Sequence, residues 1–398
     1  MFQLKKLRSY IFAAGHLSFF LLFHPLLVLI VSRGRSLNQS SSVDGSSIIQ
    51  ILYLSIILLY LLSYYLKNGM QFSKVILFKS PITFFFAYIV LCSISTLWSI
   101  NPYLTFYRSI ESITFLFLII TTINQLIHKY NIEDVISWTI FYAFWNLIID
   151  TLYHLKLGQF PFSIPFLPSR LFFPLFIFII INFSKGKFVK FTAFFLVLLG
   201  LSNKIFIGIA VSFFSFMFGN LKNKLKFVLF VTILIVSMVS FGFEDFLLNT
   251  LFYGRDDIGL EDSSGRNHVW SYLFTKGLEN PLYGFGYVSG ETFMLISEFR
   301  GSVINAHNAF LSAFLGTGIL GVVFVLLFFI SIFIFLFKTG ESNYKMENVT
   351  LSSIILITIV SNSGPGIGGR VYGSWIPSVF IIVLFISLRL YQMNRKLR

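Results

Sequence analysis

Charged residues are scarce in this sequence, and acidic residues are the scarcer kind. Only 12% of the 398 residues are Asp, Glu, Lys or Arg, whereas a soluble globular chain has about 25%. Cys92 is the only cysteine, so an internal disulfide is excluded. The sequence contains no P-loop and no strand–glycine–helix unit. The scarcity of charge argues against a soluble domain, and the missing motifs argue against a nucleotide site.

Hydrophobic residues dominate the composition. They make up 56% of the chain, the mean hydropathy is +0.82, and apolar runs of roughly 20 residues, long enough to cross a bilayer, recur along the whole length. This composition predicts an all-α polytopic membrane protein with about twelve transmembrane helices and one long external loop containing short helices. The predicted spans are approximately 11–31, 48–66, 82–100, 109–127, 135–155, 170–183, 188–202, 204–219, 226–243, 307–337, 349–361 and 375–391.

The distribution of Lys and Arg predicts the orientation, because cytoplasmic loops carry an excess of these residues. With the N-terminus inside, most of them fall in cytoplasmic segments: Lys5, Lys6, Arg8, Lys67, Lys74, Lys79, Lys129, Lys185, Lys187, Lys190, Lys222, Lys224, Lys226, Lys338, Lys345, Arg389, Arg395, Lys396 and Arg398. Both termini are therefore expected in the cytoplasm. The net charge of +14 is explained by topology, and because the basic residues form no patch interleaved with aromatic residues, a nucleic-acid partner is excluded.

This topology divides the chain into three parts. Residues 1–243 form an N-terminal transmembrane bundle of about nine spans, 244–306 an external loop with amphipathic helices, and 307–398 the C-terminal transmembrane helices. Within the loop, Ser263 and Ser264 are expected to cap a helix that places Arg266 and Trp270 on one face and ends at Asn280-Pro281. Because 307–337 is too long for one simple span, its first turns are expected in an external cleft.

Four cations are predicted on the same external side. Arg170 opens the sixth span, Lys204 lies in a tight turn, Arg266 starts the loop helix, and Arg370 ends a glycine-rich loop. Together they could bind phosphate, with His307 as the nearby group that accepts a proton at neutral pH. Alternatives stay open: Arg170 as an interfacial anchor, Lys204 as a plain turn residue and Arg370 as a positional anchor.

Carboxylates raise two further alternatives. Glu111, inside the fourth span, is either a functional intramembrane group or the partner of Arg108 three residues earlier. The loop pairs Asp256-Asp257 and Glu261-Asp262 suggest a metal site, but they lack ordered ligand spacing, which favours flexible acidic residues. No metal site is therefore predicted.

Four segments carry a resemblance to a known family. They are His307-Asn308-x9-Gly318-x2-Gly321; Gly265-Arg266-x3-Trp270 followed by Asn280-Pro281-Leu-Tyr-Gly284-Phe-Gly286; Leu97-Trp98-Ser99-Ile-Asn101-Pro102; and Arg170 after a proline-rich stretch. In combination they resemble the O-antigen ligase and polymerase superfamily of bacterial envelope glycosyltransferases.

The resemblance implies a transferase of the bacterial inner (plasma) membrane with its active site on the periplasmic or outer face. The donor would be an undecaprenyl-diphosphate-linked glycan, and the acceptor another glycan or lipid A core. His307 would act as the base and Arg266 would stabilise the departing diphosphate. Arg170, Arg370, Lys204, Asn308 and Trp270 would bind substrate. No cofactor or metal is implied; membrane lipids and a chain-length regulator are the further partners expected.

Within this superfamily, polymerase and ligase differ in acceptor. The compact loop offers little surface for a bulky acceptor, which slightly favours a polymerase over an O-antigen ligase. Lys204 stands where such proteins often carry Arg, which weakens its phosphate-binding role because an ammonium is a point charge and lacks the guanidinium fork. A flippase or transporter of lipid-linked glycan is the less favoured alternative, because few charges lie deep within a span.

Overall fold

The computed structural model describes residues 16–31, 45–131, scattered positions between 134 and 152, 266–299, 306, 308–338, 369 and 375–396. Within these ranges the chain is helical, with no strand. The helices are α1 (His16–Val31), α2 (Gly45–Asn68), α3 (Gln71–Phe78), α4 (Ile82–Ile94), α5 (Pro102–Lys129), α6 (Arg266–Gly277), α7 (Ser289–Phe299), α8 (Ala309–Lys338) and α9 (Trp375–Lys396). The described positions between 134 and 152 are also helical.

Three described helices are long and apolar enough to cross a membrane: Ser47–Asn68, Pro102–Lys129 and Ala309–Ile332. A fourth candidate is the pair Gln71–Phe78 and Ile82–Trp98, bent by 91°, and Leu17–Ile30 and Ser378–Tyr391 are shorter apolar helices. The prediction of an all-helical chain with apolar spans is confirmed over the described residues. The predicted spans 170–183, 188–202, 204–219, 226–243 and 349–361 lie outside them, so the count of twelve stays a prediction.

The fourth predicted span begins earlier than expected. Residues 109–127 were predicted, whereas α5 begins at Pro102. The Asn101 side chain caps the helix by accepting from Leu104 N–H at 3.1 Å, and proline is favoured in the first helical turn because its missing N–H would have no partner there. The charges of Arg108 and Glu111 make this first part look polar, but the two side chains pair within the helix.

Helix α3 was not predicted as a helix, since Lys67, Lys74 and Lys79 make its region resemble a cytoplasmic loop. It buries Ser73, Ile76 and Leu77 on one side. Ser73 Oγ is 2.9 Å from the Tyr65 hydroxyl, which lies 2.6 Å from Thr121 Oγ1. These bonds fix α3 against α2 and α5.

Helix α5 lies at the centre of the described core. Its middle turns are buried against α4 and α9, and Phe85 of α4 stacks on Phe328 of α8 with ring centroids 5.1 Å apart. Helix α2 is peripheral, with Leu59 and Leu66 among the large apolar side chains that it exposes. An outward apolar face of this kind is what a membrane-spanning helix presents to lipid.

Contacts identify the two ends of the bundle. At one end, the ring of His128 in α5 contacts Phe72 of α3 and Tyr391 of α9, at 6.0 and 6.3 Å. At the other end, the turn between α4 and α5 contacts loop 281–286 through the bond from Ile100 N–H to the Phe285 carbonyl, 3.1 Å. The basic residues around α3 and the loop that follows α6 therefore lie at opposite ends, as the predicted topology requires.

Candidate functional site

Loop 281–286 is joined to a break in α8 at Gly318, where φ is 67° and ψ is −160°. In an uninterrupted helix the Leu315 carbonyl would accept from the N–H four residues later. Here Leu315 O accepts from Phe285 N–H (2.7 Å), Gly316 O accepts from Gly286 N–H (2.9 Å), and Ile319 N–H donates to Pro281 O (2.8 Å). The loop thus replaces the hydrogen bonds that the break removes.

Two glycines, one on each side, make this contact possible. Gly284 and Gly318 both have φ of +67°, a conformation that L side chains rarely adopt. A Cβ on Gly284 would lie 2.6 Å from the Leu315 carbonyl oxygen and 2.8 Å from Gly318 N, and a Cβ on Gly318 would overlap the Leu282 carbonyl. The glycines of two motifs that are distant in sequence are therefore required by one backbone contact.

The turn between α4 and α5 holds the other side of the loop. The Trp98 indole N–H donates to the Tyr283 carbonyl at 2.8 Å. The hydroxyl oxygens of Ser99, Thr105 and Ser289 form a triangle with sides of 2.6, 2.7 and 2.9 Å. Three of the four segments that carry the family resemblance thus meet here, and we call this meeting point the loop junction.

Helices α6 and α7 pack on the first turns of α8 in a small core of their own. Val269 and Leu273 of α6, Leu295 of α7, and Leu311 and Leu315 of α8 are buried together. Helix α7 was not predicted, because Ser289–Phe299 is short and carries Gly290 and Glu291. Helix α6 begins at Arg266 as expected but ends at Gly277, three residues before the predicted Asn280.

The backbone on both sides of residue 307 is held by this small core. The Trp270 indole N–H donates to the Ala306 carbonyl at 2.7 Å, and Ala306 N–H donates to the Glu291 carboxylate. On the other side, Asn308 Oδ1 accepts from Phe310 N–H (3.0 Å) and Leu311 N–H (3.1 Å), which caps α8. Three helices therefore hold Ala306 and Asn308, the residues on either side of position 307.

A tyrosine connects the loop junction to the glycine-rich loop before α9. The Tyr287 hydroxyl donates to the Gly369 carbonyl at 2.7 Å and lies 3.1 Å from Ser112 Oγ of α5. Burial raises the pKa of the Tyr287 phenol, so the hydroxyl keeps its proton and remains a donor. Gly369 directly precedes Arg370, so the backbone beside that predicted cation is fixed to the same end of the bundle.

The described residues place the predicted site only in part. His307, Arg170, Lys204 and Arg370 lie outside them, and Arg266 is described only as the first residue of α6. Trp270 and Asn308 have backbone partners that give them positioning roles, and their predicted contacts with substrate stay predictions. What the structure does bring together is the neighbours of two predicted residues: Trp270, one turn after Arg266, bonds Ala306, which precedes His307. Gly369, which precedes Arg370, is bonded to Tyr287.

Sequence reasoning missed Glu291 and Tyr287. A single acidic residue in a loop predicted to be external gives no signal in the sequence, and neither does a tyrosine that directly follows a glycine turn. Among the described residues, no group of three or more His, Cys, Asp or Glu side chains could hold a metal ion. The acidic pairs at 256–257 and 261–262 lie outside those residues.

Comparison with known proteins gives a match over part of the chain. A family model described as O-antigen ligase matches residues 188–326, a range that includes α6, α7 and the first half of α8. This confirms the resemblance to the O-antigen ligase and polymerase superfamily. A search of the curated proteins finds no match to the chain.

Proposed function

We propose that this chain, which carries an O-antigen ligase-family region at residues 188–326, is a glycosyltransferase of cell-surface polysaccharide synthesis. It transfers a glycan from an undecaprenyl-diphosphate-linked donor to an acceptor hydroxyl, with inversion and without a metal. The observation that carries the proposal is the small core formed by α6, α7 and α8. It anchors both the helix that starts at Arg266 and the backbone around His307, and both positions fall within the matched region.

The proposed reaction needs one base and a set of cations. His307 removes the proton from the acceptor hydroxyl, the oxygen attacks the anomeric carbon, and the bond from that carbon to the diphosphate oxygen breaks. The diphosphate leaves on its lipid with an additional negative charge, which Arg266 stabilises. Fixed cations directed at charge that develops in the transition state are often the largest contribution to catalysis, and a guanidinium stays charged when it is partly desolvated.

The membrane arrangement belongs to the same proposal. Twelve helices span the bacterial inner membrane, with both termini in the cytoplasm and the site facing outward, divided as 1–243, 244–306 and 307–398. Arg170, Arg370 and Lys204 bind the diphosphate, Asn308 and Trp270 contact substrate, and the lipid tail lies against apolar helices. The opposite placement of the basic α3 region and loop 281–286 supports this orientation.

The acceptor is proposed to be another lipid-linked repeat, which makes the enzyme a polymerase. The described part of the predicted external loop is small: α6 and α7 have 12 and 11 residues, which offers little surface for lipid A core. Purified enzyme given a defined lipid-linked repeat, with and without lipid A core, decides between the two acceptors. Lengthened lipid-linked product in both reactions supports the polymerase, whereas product only when the core is added identifies a ligase.

The transporter hypothesis and the metal hypothesis each have a direct test. A flippase moves the donor without breaking it, so release of undecaprenyl diphosphate by the purified protein excludes flipping as its only activity. Transfer at an undiminished rate in excess EDTA is expected. Loss of transfer that added divalent metal restores would contradict metal independence and make the acidic residues at 256–257 and 261–262 ligand candidates.

A further inference from the structure

A charged pair lies inside the helix that forms the centre of the bundle. Arg108 Nη1 and Glu111 Oε2 are 2.8 Å apart, with the side chains 24% and 10% exposed. Both belong to α5, one of the described helices that are long and apolar enough to cross a membrane. Charges in a span are expensive and usually functional, and a buried ion pair gives little stability over an apolar pair. Packing alone does not explain this pair.

Arg108 belongs to the inward face of α5. The large apolar side chains that this part of the helix exposes are Tyr103 and Phe106. At about 100° per residue, Arg108 lies about 200° around the helix from Phe106, on the side where Thr105 and Ser112 are buried. Its accessible atoms are therefore directed toward the interior of the bundle, away from the face that meets lipid.

Arg108 also lies close to the loop junction. The Ser112 hydroxyl donates to the Arg108 carbonyl at 2.9 Å and lies 3.1 Å from the Tyr287 hydroxyl. Tyr287 in turn donates to the Gly369 carbonyl at 2.7 Å. This turn of α5 is therefore connected by two side chains to the residue that precedes Arg370.

The guanidinium keeps donor capacity beyond its bond to Glu111. Its Nε is buried and has no hydrogen-bond partner in the described part of the chain. A guanidinium has N–H groups in a planar fork that matches two phosphate oxygens, and Glu111 takes only the bond from Nη1. A buried donor without a partner is unfavourable unless something binds it.

We propose that Arg108 is a further binding residue for the diphosphate of the lipid-linked donor, and that Glu111 holds its guanidinium in place. This inference rests on the proposed function. The phosphate oxygens accept hydrogen bonds from the guanidinium N–H groups of Arg108, at the end of the bundle where the loop junction lies. Glu111 competes weakly with it, because one carboxylate oxygen accepts one bond.

The test measures binding without transfer. Wild-type protein and variants in phosphatidylcholine nanodiscs are titrated with undecaprenyl diphosphate. Loss of charge-assisted hydrogen bonds predicts that Arg108→Gln weakens binding at least about tenfold, and that Arg108→Lys weakens it less. Glu111→Gln should bind at least as tightly as wild type, because the amide oxygen can still accept the bond from Arg108 Nη1 while the competing negative charge is removed. Lys129→Gln, at the opposite end of α5, is the matched control and should stay within about twofold.

Several results would overturn the inference. One is binding by monodisperse Arg108→Gln within about twofold of wild type, which makes the pair structural. Another is a loss of binding affinity in Glu111→Gln as large as the loss in Arg108→Gln. A third is that phosphatidylglycerol competes for the site as effectively as undecaprenyl diphosphate itself, which would assign Arg108 to binding of membrane lipid. If wild type binds the diphosphate through Arg108 but transfers no glycan, the proposed function fails and the binding residue stands.

Discussion

The contact between Gly284 and the break in α8 leads to a quantitative prediction. Gly284→Ala places a Cβ 2.6 Å from the Leu315 carbonyl oxygen at a φ of +67°. The left-handed backbone conformation costs about 1–2 kcal/mol for a residue with a Cβ. Displacing the loop also weakens its three backbone bonds to α8, each with a net contribution of about 1 kcal/mol. The expected loss in the free energy of unfolding is about 4 kcal/mol.

Gly69 is the matched control for this change. Its φ is +71°, almost that of Gly284, but a Cβ there would have nothing within 4 Å. Gly69→Ala should therefore show the conformational cost alone, about 1–2 kcal/mol. The difference between the two variants isolates the contact of the loop with α8.

The assay is unfolding of purified protein in detergent, followed by helical circular dichroism. Gly284→Ala should unfold at a clearly lower denaturant concentration than Gly69→Ala, and it should lose most transfer activity because the loop positions α6 and α7. If the two variants differ by less than about 0.5 kcal/mol, the hydrogen bonds at the break do not stabilise the fold and the reasoning is refuted.

Three further substitutions test the positioning of the site. Trp270→Phe removes the bond to the Ala306 carbonyl and should lower kcat about fivefold with little change in KM for acceptor, since a bond of about 1 kcal/mol fixes the backbone beside His307; unchanged kcat contradicts this. Asn308→Ala removes the cap of α8 and should lower the free energy of unfolding by about 1 kcal/mol; a neutral effect in the same unfolding assay rules out a stabilising cap. Tyr287→Phe removes the bond to Gly369 and should weaken donor binding, measured as a raised KM for the lipid-linked donor. A change confined to the KM for acceptor would contradict the proposed link between Tyr287 and Arg370.

Much of the transmembrane part could be predicted because a long apolar run is a signal contained in consecutive residues of the sequence. Helix α2 was predicted at 48–66 and runs from Gly45 to Asn68. The same prediction fails where charged residues fall within a helix. Helix α3 was missed because its lysines hide a short amphipathic helix, and the start of α5 was missed because Arg108 and Glu111 neutralise each other only once the helix has formed.

The candidate site was predictable as motifs but not as geometry. The spacing of Gly284 and Gly318 gave no sign that the two residues meet, because their contact joins segments more than 30 residues apart through backbone atoms. The same limit applies to Trp270: the resemblance predicts a substrate contact, but nothing in the sequence indicates the bond from its indole N–H to the backbone beside His307. Interpreting Glu111 as the partner of Arg108 was correct, because pairing at three residues apart is fixed by helical geometry alone.

The proposed roles of His307 and Arg266 in the transfer can be tested in one assay. The most direct measurement is release of undecaprenyl diphosphate from a defined lipid-linked repeat by purified protein, comparing His307→Ala and Arg266→Ala with His128→Gln at the opposite end of the bundle. Wild type and His128→Gln should release undecaprenyl diphosphate, and the other two variants should lose at least a hundredfold in rate, as is typical when a catalytic base or a transition-state cation is removed. Normal release by either His307→Ala or Arg266→Ala would contradict the role proposed for that residue.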